Sequence, residues 1–206
     1  MARPKANQET PSAQERMREA FWEELEQRPY DQITVRGVAA RAHVNKNAFY
    51  YHYDSLEELA ADALRHALPP DLEHTLSDQF MNPSSGGFAR MLESAGGIQC
   101  LQRMRLAAGR HSSVALQQAL KDTIWVAACN TLGIDRATTS LDVRLAFEYI
   151  VGGALSVWSY CDEYLPDATP EDILKTDFFV GLTHTMPSFI VPLLQAQMGR
   201  TSDTPA

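Results

Sequence analysis

The chain has 206 residues, of which 45% are hydrophobic and 21% charged, and its formal net charge is -8. That length allows one sizeable core or a small module joined to a larger one, and the composition excludes a disordered or fibrous chain. Charge is unevenly spread, with eight Lys/Arg against seven Asp/Glu up to Tyr53 and 10 against 19 beyond it, so an acidic body follows a nearly neutral head.

At the N-terminus, M-A-R-P-K-A-N-Q-E-T contains no apolar stretch of a signal peptide. Ser12 and Glu15 then form a capping box for a helix to Arg28, with Met17, Phe21, Trp22 and Leu25 at helical spacing and Pro29 as its stop. Thr34 caps a second helix to about Arg41, and Asn45 a third to about Tyr53. Val35, Val38, Ala39, Ala42, Val44 and Phe49 supply an apolar seam for these two helices. Arg36, Asn45, Lys46, Asn47, Tyr50, Tyr51 and His52 remain as polar contact groups. Two short helices meeting at a tight turn, with a hydrogen-bonding face, are what docking in a major groove requires.

Ser55-Leu56-Glu57-Glu58 is a second capping box, opening a connecting helix that Pro69-Pro70 closes. Beyond it the signals are helical throughout. A helix runs from Asp71 to about Met81, followed by a loop N-P-S-S-G-G, a short helix from Phe88, a break at Gly96-Gly97, and a helix from Ile98 to about Ala108. Ser113 caps a helix that Gly133 stops, and Ser140 opens another to about Asp162. Thr169-Pro170 starts the last one, which Pro187 should kink or end, with a disordered tail beyond Gly199. The fold class is therefore all-α, with a helix-turn-helix module at 12–54 and a larger helical domain at 55–198.

The longest weakly polar run, Tyr149 to Cys161, falls short of the roughly 20 residues of a membrane span. A cytoplasmic protein with no membrane partner is expected. The six histidines fall in no metal-ligand or catalytic motif, and Cys100, Cys129 and Cys161 sit singly in apolar helical patterns. Neither an enzyme nor a metal or other cofactor is expected from that arrangement.

Helix one, the run V-N-K-N-A-F-Y-Y-H-Y and the following S-L-E-E-L together resemble the TetR family of bacterial transcriptional regulators, over about the first 65 residues. The rest resembles that family only in length and helical organisation. The resemblance implies a homodimer that binds a palindromic double-stranded DNA operator through the head. It also implies a small-molecule effector bound by the larger domain, which displaces the connecting helix and releases a repressor. Carried onto matching positions, it implies that Thr34 and Tyr51 hold phosphates and that Arg36 approaches a base edge or a phosphate. Asn45, Lys46, Asn47, Tyr50 and His52 then form the recognition surface, while Tyr53, where the family usually has an apolar aromatic, belongs to the core.

Three positions depart from the family pattern. His43 stands where the inter-helix turn usually has glycine, Gly37 lies inside helix two, and Leu56 replaces a commonly basic residue. These departures support a competing reading, a helical small-molecule-binding or interaction protein whose DNA motif is degenerate.

In the larger domain most aromatic and sulfur side chains are needed simply as core, and Met104, Trp125, Cys129, Phe147 and Trp158 are the candidates for an effector site. Interior glycines cost nearly 1 kcal/mol each in a helix, so Gly152 and Gly153 need a reason. One is close approach of a partner's helix, with Ser156 nearby and Phe178, Phe179 and Leu182 of the last helix completing an interface. The other is a bend over the chain's own core.

Overall fold

The computed structural model describes residues 11–82 and 86–202, and among them the regular structure is entirely helical. Helix α1, Ala13–Gln27, begins at a complete capping box: the Glu15 amide donates to Ser12 Oγ at 3.2 Å, and the Ser12 amide to Glu15 Oε2 at 2.6 Å. Met17, Phe21 and Leu25 are wholly buried, one per turn on the apolar face the spacing anticipates. A 3-10 turn at Tyr30–Gln32 leads to α2, Val35–Arg41, and α3, Lys46–His52. Thr34 caps α2 by accepting from the Gly37 amide, and Asn45 caps α3 by accepting from the Ala48 amide.

Between α2 and α3 the chain reverses through His43, whose φ of 54° is the sole positive value at a non-glycine among the described residues. The Val44 amide bonds Ala39 O at 2.9 Å and the His43 amide bonds Ala40 O at 3.2 Å. This pair of bonds is the Schellman arrangement, in which the residue after the cap is left-handed and usually glycine. Gly37 has a different reason. A Cβ there would lie 3.3 Å from both Thr34 Oγ1 and Glu24 Oε2, crowding the cap and a buried carboxylate at once.

Helix α4, Leu56–Ala67, follows, with Ser55 accepting from the Glu58 amide. The expected box is only half formed, because the Glu58 carboxylate accepts from the Asp54 amide instead of that of Ser55. The larger part comprises α5, Leu72–Met81; α6, Gly87–Glu93; α7, Ala95–Ala108; α8, Val114–Leu132; α9, Leu141–Tyr164; α10, Pro170–Leu174; and α11, Asp177–Ser202. Residues 83–85 of the expected loop lie outside the described residues.

Four expectations are corrected. Gly96 and Gly97 do not break a helix but form the first turn of α7, capped by Ser94. Gly97 is needed for space, since a Cβ would fall 2.1 Å from the Met91 carbonyl oxygen. The segment from Thr169 is two helices, because α10 ends at Leu174 before α11 starts at Asp177. Pro187 and Pro192 both lie inside α11, which continues to Ser202, so neither ends it and there is helix where a tail was expected; residues 203–206 lie outside the described residues. Finally, Asp177–Gly199, with mean hydropathy 1.2, is long and apolar enough by length and composition to cross a membrane, which the sequence reading missed.

The main apolar cluster runs without interruption from Met17, Phe21 and Phe49 through Leu64, Leu101 and Leu120 to Trp158 and Phe179. A smaller one gathers Trp125, Cys129, Ile134 and Val143, and Phe147 packs on both. Helix α4 packs on α1 and also on α7 and α8, so it bridges the head and the body. A second bridge is the turn after α7. The Arg110 amide donates to Asp162 Oδ2 of α9 at 2.9 Å, and the next residue, His111, accepts from the Tyr30 amide at 2.8 Å and meets Leu25 O through Nδ1 at 2.9 Å.

A left-handed residue with a Cβ costs about 1–2 kcal/mol, of which glycine's greater chain entropy takes back part. His43→Gly is therefore expected to raise the stability measured by urea unfolding by about 0.5–1 kcal/mol; an unchanged or lower value contradicts the strain assigned to this turn.

Candidate nucleic-acid interface

The end of α2, the turn and α3 present a polar surface built on a buried floor. Val38 and Phe49 are wholly buried, and Ala39 and Ala42 nearly so, which anchors both short helices to α1. Thr34, Arg36, Asn45, Lys46, Asn47, Tyr50 and Tyr51 are all exposed, and His52 is half-buried. Tyr51 is the most open of the aromatic residues here at 83%, Tyr50 stands at 47%, and Tyr53 is buried at 4%, which divides the aromatic run as expected.

The capping residues keep capacity to spare. Thr34 Oγ1 and Asn45 Oδ1 act as acceptors in their caps, so the Thr34 hydroxyl proton and the Asn45 amide protons are still available as donors. Lys46 Nζ lies 5.5 Å from the centre of the Tyr50 ring, one turn along α3, and His52 meets the Tyr51 ring edge-on at 4.9 Å.

Cations in this region divide sharply. Arg16 is spent on the carbonyls of Ala42 and Pro11, and Arg18 pairs with Asp62 at 3.0 Å. Glu24, only 4% exposed, holds Arg41 at 2.7 Å and Arg28 at 3.1 Å, and Arg41 also reaches Glu23 and Gln27. Among the described residues Arg36 and Lys46 enter no ion pair. Among the described residues, the cations of the head thus resolve into arginines bound within it, Arg18, Arg28 and Arg41 by carboxylates and Arg16 by carbonyls, plus Arg36 and Lys46 facing outward.

Sequence reasoning missed the supports beneath this surface. Asp62 of α4 accepts from the Tyr53 hydroxyl at 2.8 Å and from Arg18 on the same oxygen, Oδ2. Burial and then the bond to this carboxylate push the Tyr53 phenol up to about 12. Burial alone would raise the Asp62 carboxyl, but the bonds from Tyr53 and Arg18 outweigh it and hold that carboxyl below its ordinary value. No local motif links Arg18, Tyr53 and Asp62, so periodicity had no means of finding them.

The other candidates are placed as follows. Trp125 and Cys129 lie in the smaller cluster, with Phe147 4.7 Å from the Trp125 ring, whereas Trp158 and the partly buried Met104 belong to the main one. Gly153 and Ser156 are exposed and Gly152 half-buried; Phe178 is 60% exposed and Leu182 half-buried. Phe179 differs: at 8% exposure, 6.0 Å from the Trp158 ring, it is a core residue of its own chain and not part of that outer face. No group of three or more His, Cys, Asp or Glu among the described residues could hold a metal ion.

Residues 19–63 match the family model described as bacterial regulatory proteins, tetR family. No curated protein matches the chain. Among solved structures, the crystal structure of the TetR family repressor AlkX from Dietzia sp. strain DQ12-45-1b, implicated in biodegradation of n-alkanes, aligns at 19% identity and a TM-score of 0.41, covering 93% of this chain and 99% of that one. The matched residues run from within α1 into α4, through both short helices and the turn between them.

Proposed function

We propose that this protein is a cytoplasmic, homodimeric repressor that binds a palindromic operator through two heads and is released when a small-molecule effector occupies the body. The observation that carries the DNA-binding part is the division of cations, with Arg36 and Lys46 outward and Arg16, Arg18, Arg28 and Arg41 bound within the head. Arg36 and Lys46 suit base edges or phosphates, Asn47 an adenine edge, and Thr34, Asn45, Tyr50, Tyr51 and His52 the phosphates and sugars around them. Two outward cations among the described residues of a head are few, so useful affinity requires two heads held about one turn of DNA, roughly 34–36 Å, apart.

Support for the dimer comes from α9. Leu141, Leu145, Tyr149, Gly153, Ser156, Tyr160 and Tyr164 succeed one another at three- and four-residue steps and are all exposed, with Tyr149 at 78% and Leu141 at 71%. Nothing lies within 4 Å of a Cβ built on Gly153, and Gly152 meets only Lys121 Nζ at 3.9 Å, which favours partner approach over a bend on the chain's own core. Beside this stripe, Phe178 and Phe189 of α11 are 60% and 56% exposed. An open groove of about 270 Å³ separates the helices, lined by Leu145, Tyr149, Phe189 and Leu193 among others. We assign the apolar surface of α11 to a second subunit and not to a bilayer, because Gln197 on that helix is 2% exposed and bonds Ser140 N and Thr138 O, fastening α11 to its own body.

The larger domain, 55–198, is the proposed seat of the effector, with Met104, Trp125, Cys129, Phe147 and Trp158 as candidates and α4 as the bridge to the head. The competing reading of a degenerate motif draws no support from the local geometry: His43 fits a Schellman turn and Gly37 occupies a site where a Cβ would crowd.

In a selection of duplexes from a random pool, the protein should enrich a roughly palindromic site and bind it far better than scrambled DNA. Arg36 and Lys46 of two heads by themselves contribute a slope of log K against log salt of about −3.6. Arg36→Ala and Lys46→Ala should each remove about 1–3 kcal/mol of binding while leaving the urea midpoint unchanged. Recovery of no preferred duplex would sink the proposal. For the dimer, Gly153→Leu should strengthen the isolated helix yet shift the protein to monomer in sedimentation equilibrium; a variant that stays as dimeric as the wild type removes α9 from the interface.

A further inference from the structure

We infer that Tyr53 and Asp62 are positioning residues that set the seat of the recognition helix α3, through a clasp between the end of α3, α4 and α1. The inference builds on the proposed DNA-binding role but is carried by different residues from those facing outward.

Helix α3 is seven residues long and so cannot hold its own direction; its placement depends on what grips its ends. Its N-terminal end is capped by Asn45, and its C-terminal end passes into Tyr53, whose amide closes the last turn on Phe49 O at 2.9 Å. The Tyr53 ring is buried beside Phe49, 5.8 Å between centroids, and a phenylalanine would fill that space equally well. Only the hydroxyl does something more, reaching across to Asp62 Oδ2 at 2.8 Å.

Asp62 has a side-chain exposure of 13%, and both its oxygens are engaged. Oδ2 takes the Tyr53 hydroxyl and Arg18 of α1 at 3.0 Å, while Oδ1 takes Arg65 at 2.9 Å and faces His66 Nδ1 at 3.4 Å. A bond from a neutral hydroxyl to a carboxylate already oriented by a half-buried guanidinium is stronger and more directional than one between neutral partners. Three helices are thereby joined at one oxygen atom. Because α4 also packs on α7 and α8, any displacement of α4 is felt at the end of α3 through this atom, not solely through apolar contact.

The test uses the full chain without DNA. Tyr53→Phe removes the hydroxyl and keeps the ring; amide hydrogen exchange in α3 should quicken about tenfold while that of α2 is unchanged. Asp62→Asn should give the same pattern, and the double variant should be no faster than the faster single variant, since both act on one clasp. Unchanged exchange in α3 for Tyr53→Phe, equal acceleration throughout the head, or effects that simply add would each overturn the inference. Binding then gives a second readout: Tyr53→Phe should lose about tenfold for the selected duplex and nothing for scrambled DNA. If the wild type itself prefers no duplex, the operator reading fails while the exchange result still decides the clasp.

Discussion

Helix α1 is buried on more than one side, and that constraint governs everything around it. Met17, Phe21 and Leu25 have no exposure, α2, α3 and α4 pack against the helix, and Glu19, Trp22 and Leu25 also meet Arg103 and His111 of the body. What remains exposed on this helix is polar: Gln14, Glu15, Glu19, Glu23, Glu26 and Gln27. Of its acids, Glu24 holds Arg41 and Arg28 below the outward surface, Glu23 also reaches Arg41, and Glu19 pairs with Arg103. Much of the charge of the head is thereby balanced within the fold.

What could be read from the sequence was local. Ser12, Thr34, Asn45, Ser55, Ser113 and Ser140 all cap the helices expected of them, because a cap is decided by a few neighbouring residues. His43 and the burial of Tyr53 were legible for a similar reason, one being a turn position and the other a pattern position. Glycine and proline were misread where tertiary packing overrode their usual meaning. Gly97 serves the approach of the Met91 carbonyl, and Pro187 is buried within a helix that the rest of the body holds in place.

The part of the candidate site that escaped sequence reasoning is the part made by residues distant along the chain. Arg18, Tyr53 and Asp62 belong to three helices, and Asp162, Arg110 and His111 connect a late helix to an early one through a turn. Neither set has a spacing that periodicity registers. The outward surface from Thr34 to His52 was legible because both of its helices are short and adjacent; what fixes that surface in space was not.

The turn after α7 has its own implication. A Cβ on Gly109 would come within 2.5 Å of Asp162 Oδ2, so α9 grips this turn closely, and the same turn grips the end of α1 through His111. A chimaera that grafts residues 12–54 onto an unrelated body would leave the carbonyl of Leu25 and the amide of Tyr30 without these partners, and the rings of Phe21 and Trp22 without part of their cover. The outward surface of this chain is therefore more easily changed by resurfacing α3 in place than by transplanting the head as a cassette.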